Sequence, residues 1–148
     1  MGYNEIMNEK HIFKIKTSSI SGIQTSWTTA FPRQEFKMDI PKEFHGPGNY
    51  NSPEDLYAAS LGNCFLATFK VIAEKSKLNY ESIDVFVELL VDTDNESKKM
   101  VMKNADFKVV LYSPENTDRA LRLLAKTPEN CMILNSVKTQ LSFQYIIQ

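Results

Sequence analysis

Cysteine and histidine are scarce in this chain of 148 residues. Its two cysteines, Cys64 and Cys131, are too few and too far apart to frame a disulfide-rich secreted domain, and they cannot supply a four-cysteine zinc site. His11 and His45 stand in separate segments with no metal-ligand spacing to each other or to a cysteine, so no metal site is supported. An excess of charge of one sign is also missing. Seventeen basic and eighteen acidic side chains give a net charge of -1, which argues against a nucleic-acid footprint and against a polybasic membrane anchor. Small or neutral partners are expected instead. The first twenty residues are interrupted by Glu5, Glu9, Lys10, Lys14 and Lys16, leaving no apolar core of signal-peptide type, and a cytoplasmic location is expected. The uncharged run from Leu56 to Phe69 is shorter than the ~20 residues of a membrane span and contains Ser60, Gly62, Asn63 and Thr68. A buried core helix is the better reading, with no membrane partner.

What the chain does have is patterning. At 16.9 kDa and 43% hydrophobic, residues 1–148 read as a single domain. Ser52 as cap, Pro53 at the first helical position and Asp55 three residues after the cap predict a helix over 53–76, apolar or small on all sides between Leu56 and Ala73. Such a helix requires cover from several directions. Ile83, Val85, Val87, Leu89 and Val91 share one parity, and Val101, Ala105, Phe107, Val109 and Leu111 repeat it after the turn Asp94-Asn95-Glu96-Ser97, which predicts a hairpin. Leu141, Phe143, Tyr145 and Ile147 predict a last strand. Ile12–Thr17, Ile23–Phe31 and Gln34–Ile40 are weaker strands before the helix, and Pro41–Asn51 forms a loop. A second helix is expected from Ser113 as cap and Pro114, with Arg119, Arg122 and Lys126 outward, and a short helical turn through Cys131 follows the break at Pro128. The order is β-β-β-α-β-β-α-β, an α+β domain with a mostly antiparallel sheet.

The segment Asn51-Ser52-Pro53-Glu54-Asp55-Leu56-Tyr57-Ala58-Ala59-Ser60-Leu61-Gly62-Asn63-Cys64-Phe65 resembles the central-helix motif of the OsmC/Ohr family of osmotically induced and organic-hydroperoxide-resistance proteins. Pro53, Glu54 and Cys64 match its pattern, and Cys131-Met132-Ile133-Leu134-Asn135 resembles the second motif, with Met132 in place of the usual proline. The resemblance implies an intertwined homodimer in which antiparallel sheets wrap around long central helices, with a thiol peroxidase site at the interface. Cys64 would attack an organic hydroperoxide, Cys131 would resolve the sulfenic acid, and Glu54 would join the charge network. A dithiol reductant, lipoyl-type for some members, would recycle the enzyme, and no cofactor is implied.

A peroxidatic thiol, with an ordinary pKa of about 8.5, must be lowered by positive charge or a helix N-terminus to react as the thiolate. Cys64 falls in mid-helix, so a cation must come from elsewhere, whereas Cys131, placed near an expected helix start, has the better setting. The arginine that activates family enzymes is absent from the first hairpin and from the loop before the helix. The only arginines are Arg33, Arg119 and Arg122; Arg33 is the candidate, with Lys42 and His45 as alternatives. Glu54 and Cys64 lie ten residues apart, about 15 Å along a continuous helix, so a shared site requires a second subunit or an intermediary. A disulfide between Cys64 and Cys131 requires Cα atoms within about 7 Å. The bland readings are a buried structural cysteine at each position, a first-turn acid at Glu54 and a solvated strand residue at Arg33. Trp27, Phe31, Phe36 and Tyr57 read as core or dimer contacts, or as an apolar collar for organic peroxides. Two alternative functions follow: a small-molecule binding protein of the same fold without peroxidase activity, and a hot-dog acyl-thioesterase. The latter calls for one continuous sheet, an acidic residue and no paired thiols.

Overall fold

The computed structural model describes residues 9–148, which form two compact units meeting in sequence at Pro53 and Glu54. The first unit carries a three-stranded antiparallel sheet of β1 (Lys16–Ser18), β2 (Trp27–Ala30) and β3 (Glu35–Met38) in that order. All three strands are shorter than their sequence patterns, and Ile12, Phe13, Ile15 and Ile23, which belong to the longer patterns, are exposed. Between β3 and the helix, the loop is pinned from within. Asp39 is fully buried and its Oδ2 accepts the backbone N–H groups of Asn49 and Tyr50, while a Cβ at Gly46 would lie 2.0 Å from the Ile40 carbonyl oxygen. Only glycine permits that approach.

The second unit is built on α1 (Pro53–Lys75), which starts where Pro53 can stand without an N–H. Its Leu61, Phe65, Phe69 and Ala73 are buried, at the four-residue spacing of one helical face. They pack on a sheet ordered β4 (Ser82–Thr93), β5 (Met100–Tyr112) and β6 (Gln140–Ile147), with Phe65 against Phe107 and Phe143 at ring distances of 6.0 and 5.9 Å. Gly62 brings the helix close to β4, since a Cβ there would lie 3.1 Å from Val87. β4 and β5 form the expected antiparallel hairpin, with a register shift at Leu90/Val91, but β5 and β6 pair in parallel. The element order agrees with the sequence reading.

Three local expectations need correction. The second helix, α2 (Thr117–Lys126), begins later than Ser113: Asn116 is its cap and accepts the Arg119 N–H through its side chain, while Ser113 adopts φ 50 and donates its hydroxyl to Glu81. The single turn through Cys131 is two 3-10 turns, Pro128–Asn130 and Leu134–Ser136, with Cys131 between them. Finally, α1 buries only one face: Ala59, Asn63, Ala67, Lys70, Val71 and Glu74 are exposed. Among the described residues α1 is the one helix long and apolar enough for a membrane span, and it serves instead as the spine of this unit.

Candidate functional site

Cys64 and Cys131 are bonded to each other, with Cα atoms 6.0 Å apart, inside the roughly 7 Å reach of a disulfide. Their settings differ. Cys64 is half-buried on a stripe of α1 that also contains Tyr57 and Thr68, positions related by seven and four residues; its Sγ lies 4.0 Å from the Thr68 hydroxyl. Cys131 is fully buried and ends the first 3-10 turn, donating its N–H to Pro128, so the expectation of a helix-start setting for this thiol is overturned. The carbonyl of Cys131 accepts the Asn135 N–H, and the Asn135 side chain donates to the Glu129 carbonyl, which ties the two turns together around the cysteine. Sequence reasoning noted Asn135 only as part of a motif.

Residues 127–139 are fastened at both ends by buried hydroxyls. Thr127 donates to the Leu123 carbonyl at 2.9 Å, and Thr139 shares a hydrogen bond of 2.6 Å with the Tyr57 hydroxyl. Tyr57 was read as a core or contact aromatic, and Thr139 was missed. The available signal was the seven-residue spacing of Tyr57 and Cys64, which places both on one helix face.

Glu54 stands in the first turn of α1, and because the helix runs unbroken to Lys75 it does not reach Cys64 in the same chain. Its Oε2 is buried and has no hydrogen-bond partner among the described residues. A carboxylate oxygen in that state is a place for a donor or a cation. Arg33 belongs to the first unit, in the turn between β2 and β3, and is exposed. Lys42 and His45 are exposed in the loop that follows, where His45 takes φ 67 and its carbonyl accepts the Gln24 side chain. Arg119 pairs with Glu115 at 3.5 Å on the outer side of α2, as expected of a wet face. A groove of about 410 Å3 runs between Ala58, Gly62 and Leu66 of α1 and Ile83, Val85 and Val87 of β4. It lies on the opposite flank of the helix from the disulfide and touches neither cysteine.

The OsmC family model, described as OsmC-like protein, matches residues 46–145, and the chain belongs to that family. YmaD of Bacillus subtilis is 25% identical over 112 residues, covering 72% of this chain and 73% of its own length. An organic hydroperoxide resistance protein-like 2 of Staphylococcus epidermidis is 32% identical over 84 residues, 55% of this chain and 57% of its own. Among solved structures, an OsmC-like protein from Vibrio cholerae superposes with a TM-score of 0.82 at 17% identity, covering 93% of this chain and all of that one. An organic hydroperoxide resistance protein from Elizabethkingia anophelis gives 0.71 at 16%, covering 95% and 99%. These likenesses establish the α+β OsmC-like fold. The hot-dog alternative falls, because the strands form two separate three-stranded sheets and the thiols are paired.

Proposed function

We propose that this protein is a thiol-dependent peroxidase that reduces organic hydroperoxides in cytoplasmic oxidative-stress defence, acting as a homodimer. The observation behind this reading is the approach of Cys64 and Cys131, residues remote in sequence and with no third cysteine to compete. In the reduced protein the Cys64 thiolate attacks the peroxide oxygen, the O–O bond breaks, and the alcohol leaves with a proton. Cys64 is then a sulfenic acid. The Cys131 thiol condenses with it, releasing water and forming the disulfide, which a dithiol reductant reopens by two exchange steps. Arg33 is the proposed source of the positive charge that favours the Cys64 thiolate, and Glu54 the proposed acid of the charge network. A second copy covers the exposed face of α1 at Ala59, Asn63, Ala67 and Val71, and residues 1–148 act as one domain.

The test is to treat the reduced protein with one equivalent of cumene hydroperoxide. Two thiols per chain disappear, and Cys64→Ser abolishes the loss; survival of the thiols overturns the reading. Light scattering at twice 16.9 kDa checks the dimer. Arg33→Gln slows the reaction by raising the pH at which Cys64 becomes reactive.

A second reading is favoured by the groove between α1 and β4, whose walls combine Leu66, Ile83, Val85 and Val87 with the polar Asn63 and Asp84 and which contains no thiol. In that reading the protein holds a small apolar ligand and its thiols react sluggishly. Calorimetric binding of an apolar probe such as a fatty acid, unaffected by Cys64→Ser but lost on Gly62→Leu, separates it from the first.

A further inference from the structure

Resolution of a sulfenic acid is a race. The Cys64 sulfenic acid either meets Cys131, with loss of water and formation of the S–S bond, or meets a second hydroperoxide, which transfers another oxygen, leaves as alcohol and gives the irreversible sulfinic acid. The winner depends on how closely Cys131 is kept to Cys64 while no covalent bond joins them. Nothing in the backbone does this alone. Cys131 lies outside any long helix or strand, between the two 3-10 turns that connect α2 and β6, and the hydrogen bonds of those turns, such as Cys131 N–H to Pro128 and Asn135 N–H to the Cys131 carbonyl, stay within the segment and do not tie it to α1.

The polar groups buried in the second unit are distributed in a way that answers this need. Apart from the Glu54 Oε2, the buried polar side chains described there are Thr127 and Thr139, one at each end of the segment that contains Cys131. Burying a hydroxyl is unfavourable unless it is hydrogen-bonded, and both are. Thr127 ties the segment to α2, the helix it leaves. Thr139 ties it to Tyr57 of α1, across 82 positions of sequence and two helical turns before Cys64 on the same face. The Cys131 segment is thus attached to α1 at two points, the disulfide and the Tyr57–Thr139 hydrogen bond, and only the first opens in the catalytic cycle.

Resting on the peroxidase reading, we infer that the Tyr57–Thr139 hydrogen bond is a positioning device that holds the resolving thiol against α1 when the disulfide is open. Two tethers on one segment act as a bivalent attachment: keeping one raises the effective concentration at the other. A net hydrogen bond worth about 1 kcal/mol sets the expected size at about fivefold in that effective concentration.

The experiment uses the full chain with Tyr57→Phe, Thr139→Val and Thr139→Ser. In thiol–disulfide equilibrium with dithiothreitol, which needs no peroxide, Tyr57→Phe and Thr139→Val weaken the disulfide about fivefold, or about 20 mV, and Thr139→Ser restores it. The double variant is no worse than either single one. With excess cumene hydroperoxide, mass spectrometry of Cys64 shows the sulfinic form increasing by the same factor in the two variants that lack the bond. An unchanged equilibrium in both variants overturns the inference, as does an additive double variant or a Thr139→Ser that behaves like Thr139→Val. Failure of wild-type thiols to react with peroxide overturns the peroxidase reading instead and leaves the equilibrium measurement intact. Melting of the reduced proteins distinguishes a general loss of fold, which Thr139→Ser does not rescue selectively.

Discussion

Cys64 is fixed by a helix that buries Leu61, Phe65, Phe69 and Ala73 against a sheet, whereas Cys131 sits in two 3-10 turns fastened by threonine hydroxyls, Asn135 and the buried Leu134. The first attachment is spread over many apolar contacts and has no state in which it is off. The second is concentrated in a few directional bonds, each of which can open by itself. For the two-thiol cycle proposed above the division matters: the place of one sulfur is set by the packed core, and that of the other by bonds that single substitutions remove.

The comparison breaks first, and most heavily, at Phe65. Phe65→Ala removes the ring that meets Phe107, Phe143 and Tyr145, and about 3–5 kcal/mol of stability is lost in urea unfolding, equally in oxidised and reduced protein. A loss that depends on redox state would mean that the two attachments are not separate. Reduction of the Cys64–Cys131 bond, which closes a loop with a sequence separation of 67, costs about 2–4 kcal/mol, read as the difference in urea midpoint with and without dithiothreitol. Asn135→Ala deletes the tie to the Glu129 carbonyl and costs about 1 kcal/mol, with hydrogen exchange in 128–136 speeding up more in the reduced than in the oxidised form.

The smallest effect sharpens the packed side. Burial pushes the Tyr145 phenol from 10.0 up to about 12. Above pH 10 the unfolded chain loses this proton while the folded one keeps it, so stability falls as pH rises from about 10 through about 12. Tyr145→Phe flattens that part of the alkaline unfolding curve and leaves neutral pH almost untouched.

Local signals were well legible in the sequence. Pro53 marks the start of α1, the alternation around Asp94–Ser97 marks the hairpin, and the two motifs point to Cys64 and Cys131, which are bonded to each other. What could not be read depends on contacts between distant residues. The start of α2 was misplaced because Ser113 and Asn116 are both good caps, and Ser113 is drawn away by Glu81 on the far side of the sheet connection. The parallel pairing of β6 leaves no trace in an alternating pattern, which is the same for either direction. Thr139 looks like any strand-edge threonine until Tyr57 is brought beside it. Which residues of α1 are left exposed is hidden for a similar reason: a run of small and apolar residues does not say whether its cover comes from the same chain.

The parallel pairing also sets a calendar for synthesis. A parallel strand cannot return by a tight turn, so residues 113–139 make the crossover from β5 to β6, and Cys131 travels on it. On a growing chain, Cys64 leaves the ribosome 67 positions ahead of the sulfur it bonds. A half-made molecule therefore carries a lone thiol on α1, and the bond closes only after the whole crossover has been made.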